Sequence, residues 1–352
     1  MRKNFDFLTF SIIIGIGSLS LLTLFSLNRQ LYTSQLIFWI FGLFIFYFSS
    51  HIDLQFLKKI ATPLYVLSIV LLIILFWVGE PIRGSIRWFD LGVFRLQPSE
   101  IVKIATIIVL ASFFQNRTAG NIKNVLLSLL IIFPVVFLIF RQPDLGNALS
   151  IMAIWLGMTF VAGFSFKHIL VLSVAAAILG IIGFEILSPY QKIRVVSFLN
   201  PTADPLGTGY NIIQSKIAIG SGGIFGRGLG SGSQSQLNFL PEAESDFIFA
   251  SLAEQLGFFG AGVLIGLFVF LISRIANSAK GQDRFVKLIL TGTCSFLIFQ
   301  FTVNIGMNLG LLPVTGITLP LVSYGGSSLI STLFLLGIAF SVKRHQSLTT
   351  TM

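Results

Sequence analysis

NFLPEAESDFIFASLAEQLGFFGAGVLIGLFVFLIS, residues 238–273, runs from a polar turn straight into a long apolar segment. A bilayer core of ~30 Å takes about 20 apolar residues in a helix. Residues 246–273 meet that length, so the stretch reads as the end of an extramembrane loop followed by a membrane-spanning helix. It also crowds Glu242, Glu244 and Asp246 into five residues, although the 352-residue chain has only 13 acidic residues. Carboxylates so scarce and so placed require a chemical reason.

Outward from this stretch the chain keeps the same apolar character. Hydrophobic residues make up 55% and charged residues 10%, against roughly 25% charged in an ordinary soluble domain. Mean hydropathy is +0.91. These values exclude a water-soluble globule and predict an all-α polytopic membrane protein. Ten transmembrane helices are read, at 7–27, 34–50, 58–78, 98–115, 124–140, 146–164, 168–187, 246–273, 286–309 and 320–342. The fifth and sixth are separated only by RQPDLG, 141–146. Arg2 and Lys3 precede an apolar run without an A-x-A site, so the first helix is expected to stay uncleaved.

An even count puts both termini on one side, and the distribution of basic residues makes that side the cytoplasm. Arg2, Lys3, Lys58, Lys59, Arg117, Lys123, Lys167, Arg274, Lys280, Arg284, Lys287, Lys343 and Arg344 collect there, thirteen of the 23 basic residues. Of the acidic residues only Asp6, Asp53 and Asp283 join them. Acidic residues contribute little to orientation, so their excess on the outer half reads as chemistry. The net charge of +10 then reflects membrane orientation, and no nucleic-acid partner is expected. The lone Cys294 excludes an intrachain disulfide. His51, His168 and His345 show no metal-ligand spacing.

Two extracellular loops are long. One covers 79–97; the other, 188–245 between helices 7 and 8, is rich in Gly, Ser, Pro and Gln. Loops of that length are usually functional or disordered. The amphipathic piece YNIIQSKIAI predicts partial order in the second.

Charges in or beside the bilayer read as functional by default, and four clusters qualify. RGSIRWFDLGVFRLQPSEIVK, 83–103, offers Arg83, Arg87, Arg95 and Lys103, with Asp90 and Glu100 as partners and Trp88 at the interface. Pro98 and Ser99 mark a helix start, which puts Glu100 in the first turn, where the helix dipole favours an anion. Lys103 then lies about a turn into the membrane. The cluster is either a capped helix with snorkelling cations or a site for an anionic headgroup. In RQPDLGN, 141–147, Asp144 either caps the next helix or holds an arginine or a metal. In the second loop Gln191 and Arg194 are one helical turn apart, and Arg194 or Lys216 could neutralise a phosphate. The glycines at 220–232 lack any phosphate-loop spacing and read as a flexible surface loop.

The fourth cluster is the opening stretch. Glu242 and Asp246 share a face if it is helical, and all three carboxylates do if it is extended. They either cap the new helix or do chemistry. Asp246 is the deepest, and partial desolvation would make it a better base. Glu254 lies two turns further in and faces the bundle. Cations for a phosphate and a carboxylate base suit glycosyl transfer from a lipid-linked sugar, with no organic cofactor. They also suit a transporter of an anionic lipid.

The motifs RWFDLGVFRLQPSEIVK, QPDLG, FLNPTADPLGTGYNIIQSKIAIGSGG, SQSQLNFLPEAESDFIFA and PVTGITLPLVSYGGSS, between about Arg87 and Ile338, resemble those of the SEDS family of bacterial cell-wall proteins. Within it they are more similar to the elongation branch, RodA, than to the division branch, FtsW. The resemblance implies ten helices and a glycosyltransferase polymerising lipid II at the outer face of the bacterial plasma membrane. It implies a class B penicillin-binding protein and other elongation-complex membrane proteins as partners. It places the family's essential aspartate on Asp246, functional cations on Arg95 and Lys103, and a loop pair on Gln191 and Arg194. Trp88 and Asp144 match further positions linked to activity. Relatives often carry a basic residue or histidine where this chain has Ala243-Glu244.

On that resemblance Asp246 is expected to be the general base, with Arg95, Lys103, Gln191, Arg194 and Lys216 binding substrate or its pyrophosphate. Trp88, Arg87, Glu100, Asp144, Glu242 and Glu244 would support them. A divalent cation, Mg²⁺ or Mn²⁺, held by Asp246 and Glu244 is left open. The competing expectations are a lipid II flippase and a scaffold that only recruits a transpeptidase.

Overall fold

A computed structural model describes residues 6–79, 81, 82, 85–90, 92, 95–165, 192, 198, 200, 204, 207 and 209–349. The expected helix 168–187, Arg83, Gln191 and Arg194 lie outside them. The chain divides into two compact units. The first holds residues 1–53, 197–278 and 297–352, and the second holds 54–196 and 279–296.

The first unit begins with α1 (Phe7–Leu27) and α2 (Arg29–Ser49). Asp6 caps α1, accepting from the Thr9 N–H, and Asn28 caps α2 through the N–H groups of Gln30 and Leu31, as short polar side chains at helix starts do. Then come α7 (Tyr210–Ser221), α8 (Ser233–Gln236) and α9 (Ile248–Ser278), and after them the end of α10 (Arg284–Asn308) and α11 (Gly326–Thr349). α1 packs on α9, and α2 packs on α11. The α2–α11 contact is close because Gly42 lies against Leu333 and the Phe46 ring meets Phe340 edge-on at 4.8 Å. At the far end of α9, Arg274 donates to both Asp6 carboxylate oxygens at 2.9 and 3.0 Å.

The second unit contains α3 (Leu54–Val78), α4 (Pro98–Phe114), α5 (Ile122–Arg141), α6 (Leu145–Val161) and the start of α10. Between α3 and α4 lie two antiparallel ladders, β1 (Pro81–Ile82) with β2 (Ser85–Ile86) and β3 (Phe89–Asp90) with β4 (Arg95–Leu96). α4 is almost wholly enclosed, packing on α3, α5 and α6. Gly292 of α10 lies against Ile107 and Met158, and the Trp155 indole donates to Ser128 at 2.8 Å.

Helices stand where nine of the ten apolar segments were read. Six of them are long and apolar enough to cross a membrane: α1, α2, α3, α5, α9 and α10. Their outward faces carry large apolar side chains such as Phe44, Trp77, Phe133 and Phe270, as helices apolar on all sides do when lipid surrounds them. Several boundaries differ from expectation, among them α2, which starts at Arg29 rather than 34, and α9, which runs on to Ser278. Residues 320–325 form turns ahead of α11 rather than its first turn, and residues 241–247 form turns ahead of α9.

α9 is broken at Gly257, whose φ of 68° and ψ of −166° are not helical. The break frees two carbonyls and two amides, and the glycine-rich loop takes up all four. Arg227 N–H donates to Glu254 O at 2.9 Å and Gly228 N–H to Gln255 O at 3.1 Å. The N–H groups of Phe258 and Phe259 donate to the carbonyls of Gly223 and Ile224 at 2.8 and 3.0 Å. A Cβ at Gly226 would collide with the Gln255 carbonyl. The glycines read as a flexible surface loop are therefore a fitted backbone patch, required because a broken helix among apolar neighbours must have its polar groups paired.

Candidate active site

In the second unit the candidate cations and their partners form one buried network. Pro98 opens α4 as expected, and Glu100 sits in its first turn. One turn on, the Lys103 ammonium donates to Glu100 Oε1 at 2.7 Å and to Asn147 Oδ1 at 3.2 Å, and lies 4.9 Å from the centre of the Phe296 ring. Lys103 is 1% exposed, so its charge is matched within the fold rather than snorkelled to water. Asp144 caps α6, accepting from the Asn147 N–H at 3.3 Å and side-chain amide at 2.8 Å. The Arg87 guanidinium stands 4.0 Å from Asp144 Oδ1, and Gln97 donates to Oδ2 at 3.4 Å. Both readings of Asp144, cap and arginine partner, hold together. Asn147 carries the connection from Asp144 to Lys103.

Arg95 stands apart from this network. It pairs with Asp90 at 3.3 Å across the β3–β4 ladder, with its side chain largely exposed. Asp90 accepts the Gly92 N–H at 2.8 Å and the Arg95 guanidinium, and these hold its carboxyl below the usual carboxylate range. Trp88 is half-buried beside β3.

In the first unit the acidic stretch is neither helical nor extended. Glu242 has a positive φ of 55°, which starts a tight turn, and the side chains of Glu242, Glu244 and Asp246 are all partly exposed. The backbone beneath them is fully engaged. Glu242 O accepts from the Ser245 and Phe247 N–H groups, and Ala243 O from the Ser251 hydroxyl at 2.9 Å. Glu244 O accepts the Tyr324 N–H at 2.9 Å, and Ser245 O the Ser323 hydroxyl at 2.6 Å. Asp246 O accepts from two side-chain amides, Asn304 at 3.1 Å and Asn308 at 3.0 Å. Under the turn, Ala243 and Phe247 pack with Ala218, Leu240 and Ala250.

The donors are themselves held. Asn308 Oδ1 accepts the Ala250 N–H, and Asn304 also donates to Ile317 O. Gln35 of α2 donates to Ser323 O and accepts from Gly325 N–H, both at 3.2 Å, while Ser20 of α1 donates to Val322 O. Asn304, Asn308, Ser323 and Gln35 escaped the sequence reading. The signal was there as isolated amides inside apolar runs, two of them four residues apart on one helix.

Lys216 of α7 is exposed, with its ammonium lying against Gly310 just past α10. The preceding Ser215 donates to Asn308 O at 2.7 Å. Lys216 thus shares the neighbourhood of the amide that holds Asp246. Glu254 is fully buried, as expected, and its carboxylate accepts the N–H groups of Gln234 and Ser235 at 2.9 and 3.0 Å. It caps α8 and anchors the glycine-rich loop.

Among the described residues no three His, Cys, Asp or Glu side chains are grouped to hold a metal ion. Glu242 is turned toward Ser245, which donates to it at 2.9 Å. Glu244 and Asp246 are the residues of the stretch that could hold one. Mg²⁺ is commonly bound by one or two carboxylates together with substrate phosphates, a mode that needs no all-protein cage.

Residues 4–348 match the family model described as cell cycle protein, FtsW/RodA/SpoVE. The chain is 42% identical over 310 residues to the peptidoglycan glycosyltransferase MrdB of Escherichia coli K12, covering 87% of this chain and 84% of that one. It is 38% identical over 317 residues to stage V sporulation protein E of Bacillus subtilis, covering 88% and 86%. Its structure resembles a chain of a peptidoglycan synthase complex that coordinates polymerization and crosslinking, with a TM-score of 0.86 and 34% identity over 97% of this chain and 98% of that one. It also resembles the rod shape determining protein RodA of Thermus thermophilus, with a TM-score of 0.74 and 31% identity over 97% of each. The chain therefore belongs to the FtsW/RodA/SpoVE family of cell cycle proteins, as a multi-pass membrane member of it.

Proposed function

We propose that the chain is a peptidoglycan glycosyltransferase of the bacterial plasma membrane that polymerises lipid II into β-1,4 glycan strands during cell elongation. Its likeness to MrdB, a named peptidoglycan glycosyltransferase, supports the reaction class. The observation that carries the chemistry is Asp246, partly exposed on a turn whose carbonyls from 242 to 246 are all bonded. Ten spans with both termini cytoplasmic would put that turn at the outer face.

In this reading Asp246 takes the proton from the 4-hydroxyl of the acceptor GlcNAc. The oxygen attacks the anomeric carbon of the donor's MurNAc, the bond to the pyrophosphate oxygen breaks, and undecaprenyl pyrophosphate leaves with both electrons. An α-linked donor and a β-linked product make one inversion, which needs one base and no covalent intermediate. A positioned base contributes about 10²–10⁴-fold. Arg95 and Lys216 are exposed cations that could meet the pyrophosphate, joined by Gln191 and Arg194. Lys103 is matched by Glu100 and Asn147 within the α4–α6 contact, and its part in substrate binding is proposed from the resemblance. Mg²⁺ shared by Glu244, Asp246 and the pyrophosphate would neutralise the leaving group.

A class B penicillin-binding protein is the proposed partner. Along FVFLI, 268–272, Phe268 and Leu271 are buried while Val269 and Phe270 face outward, an apolar strip suited to lipid or a partner's helix. The test is lipid II polymerisation by purified protein, alone and with the partner transpeptidase, for wild type and Asp246→Asn, with and without Mg²⁺ or Mn²⁺. Glycan from wild type and none from the variant is the expected result. Equal activity would move the base elsewhere, and two inert proteins would favour transport or scaffolding.

A further inference from the structure

We propose that Ser323, with Asn304 and Asn308, is a positioning residue that aims the Asp246 carboxylate. The inference rests on Asp246 as the base and goes beyond it by naming what directs that base.

A side chain's direction is set by the Cα–Cβ vector, and that vector by the peptide planes on either side. The plane before Asp246 is held at its carbonyl by the Ser323 hydroxyl at 2.6 Å. The plane after it is held at its carbonyl by Asn304 and Asn308 at 3.1 and 3.0 Å. Asp246 precedes α9, and these three donors hold its two peptide planes together with the Phe247 N–H bond to Glu242 O at 3.0 Å. All three are at least nine-tenths buried. Asn308 also accepts the Ala250 N–H in the first turn of α9, at 3.0 Å, which ties the base to the helix that follows.

The loop carrying Ser323 is built for this contact. Leu321 has a positive φ of 63°, as Glu242 does at 55° in the turn it meets. Strain of that kind costs of order 1–3 kcal/mol per residue and persists where surroundings over-determine it. Here Ser20 and Gln35 hold the loop from behind. A role limited to packing would not need hydrogen-bond donors at two successive peptide planes.

The test compares wild type, Ser323→Ala, Ser323→Thr, Asn308→Leu and Asp246→Asn as full-length purified proteins with lipid II. It reads kcat, KM, and the solvent deuterium isotope effect on kcat. A misaimed base makes proton transfer more rate-limiting. Ser323→Ala should lower kcat by up to about 10²-fold, leave KM within about twofold and enlarge the isotope effect. Ser323→Thr, which keeps the hydroxyl, should restore both. Loss of folded protein alone would lower the rate and leave the isotope effect at the wild-type value. Asn308→Leu should show the same signature and decides the matter if Ser323→Ala does not fold. An unchanged isotope effect in both alanine and leucine variants, or no recovery with threonine, overturns the proposal. Normal activity in Asp246→Asn would instead overturn the base assignment on which it rests.

Discussion

Two charged regions of this chain solve opposite problems. Around Lys103 the side chains hold one another: ammonium to carboxylate and amide, carboxylate to helix N-terminus, guanidinium to carboxylate. Around Asp246 the backbone is held, with each carbonyl from 242 to 246 bonded, and the carboxylates sit partly exposed above it. The first arrangement spends its polar groups on internal matching and serves stability. The second spends the main chain on rigidity and leaves acidic side chains partly exposed, where the proposed chemistry would use them.

The contrast yields ordered expectations. Asp246→Asn should reduce polymerisation by about 10²–10⁴-fold with the melting temperature kept. If it melts like a Lys103 variant, the division of labour is lost. Lys103→Met or Glu100→Gln should do the reverse, because a buried charge left alone costs about 3–5 kcal/mol. The double replacement should recover much of that loss, measured by thermal unfolding in detergent. Gly226→Ala should cost about 1–3 kcal/mol, since its φ is +83° and a Cβ would meet the Gln255 carbonyl. The smallest effect belongs to Asp90. Its lowered pKa means that its contribution is present above the ordinary carboxylate range and is lost as pH falls through the lowered value. Amide exchange at Gly92 should rise on acidification in wild type and be pH-independent over that range, after correction for intrinsic exchange, in Asp90→Asn. Global melting should not change.

What could be read in the sequence was local. Apolar run lengths located the helices, Pro98 and Asp144 announced helix starts, and the spacing of Glu100 and Lys103 put them one turn apart. The placement of the acidic stretch singled out Asp246 as a candidate, and the resemblance matched it to the family's aspartate. Period and spacing are silent about pairings far apart in the chain, and the clamp is made of those. Gly325 meets Gln35 at a separation of 290 residues, and Asn304 meets Asp246 at 58. The carboxylate turn escaped both expected conformations because Glu242 adopts a left-handed backbone, which composition does not announce. The glycine-rich loop was misread for a related reason: its function is to complete another segment's hydrogen bonds.

The Asp6–Arg274 tie has a consequence for how the molecule is made. α1 is capped by a residue whose partner is synthesised 268 positions later. α2 likewise waits for α11, which lies far downstream. The nascent protein must therefore hold α1 and α2 in the bilayer, packed on each other but without α9 and α11, while α3 to α6 insert and pack among themselves. A translation intermediate halted after residue 247 should show α3–α6 in contact and α1 crosslinking to α2. Assembly of the turn that carries Asp246 would then come late in biogenesis, since the loop that braces it is synthesised well after it.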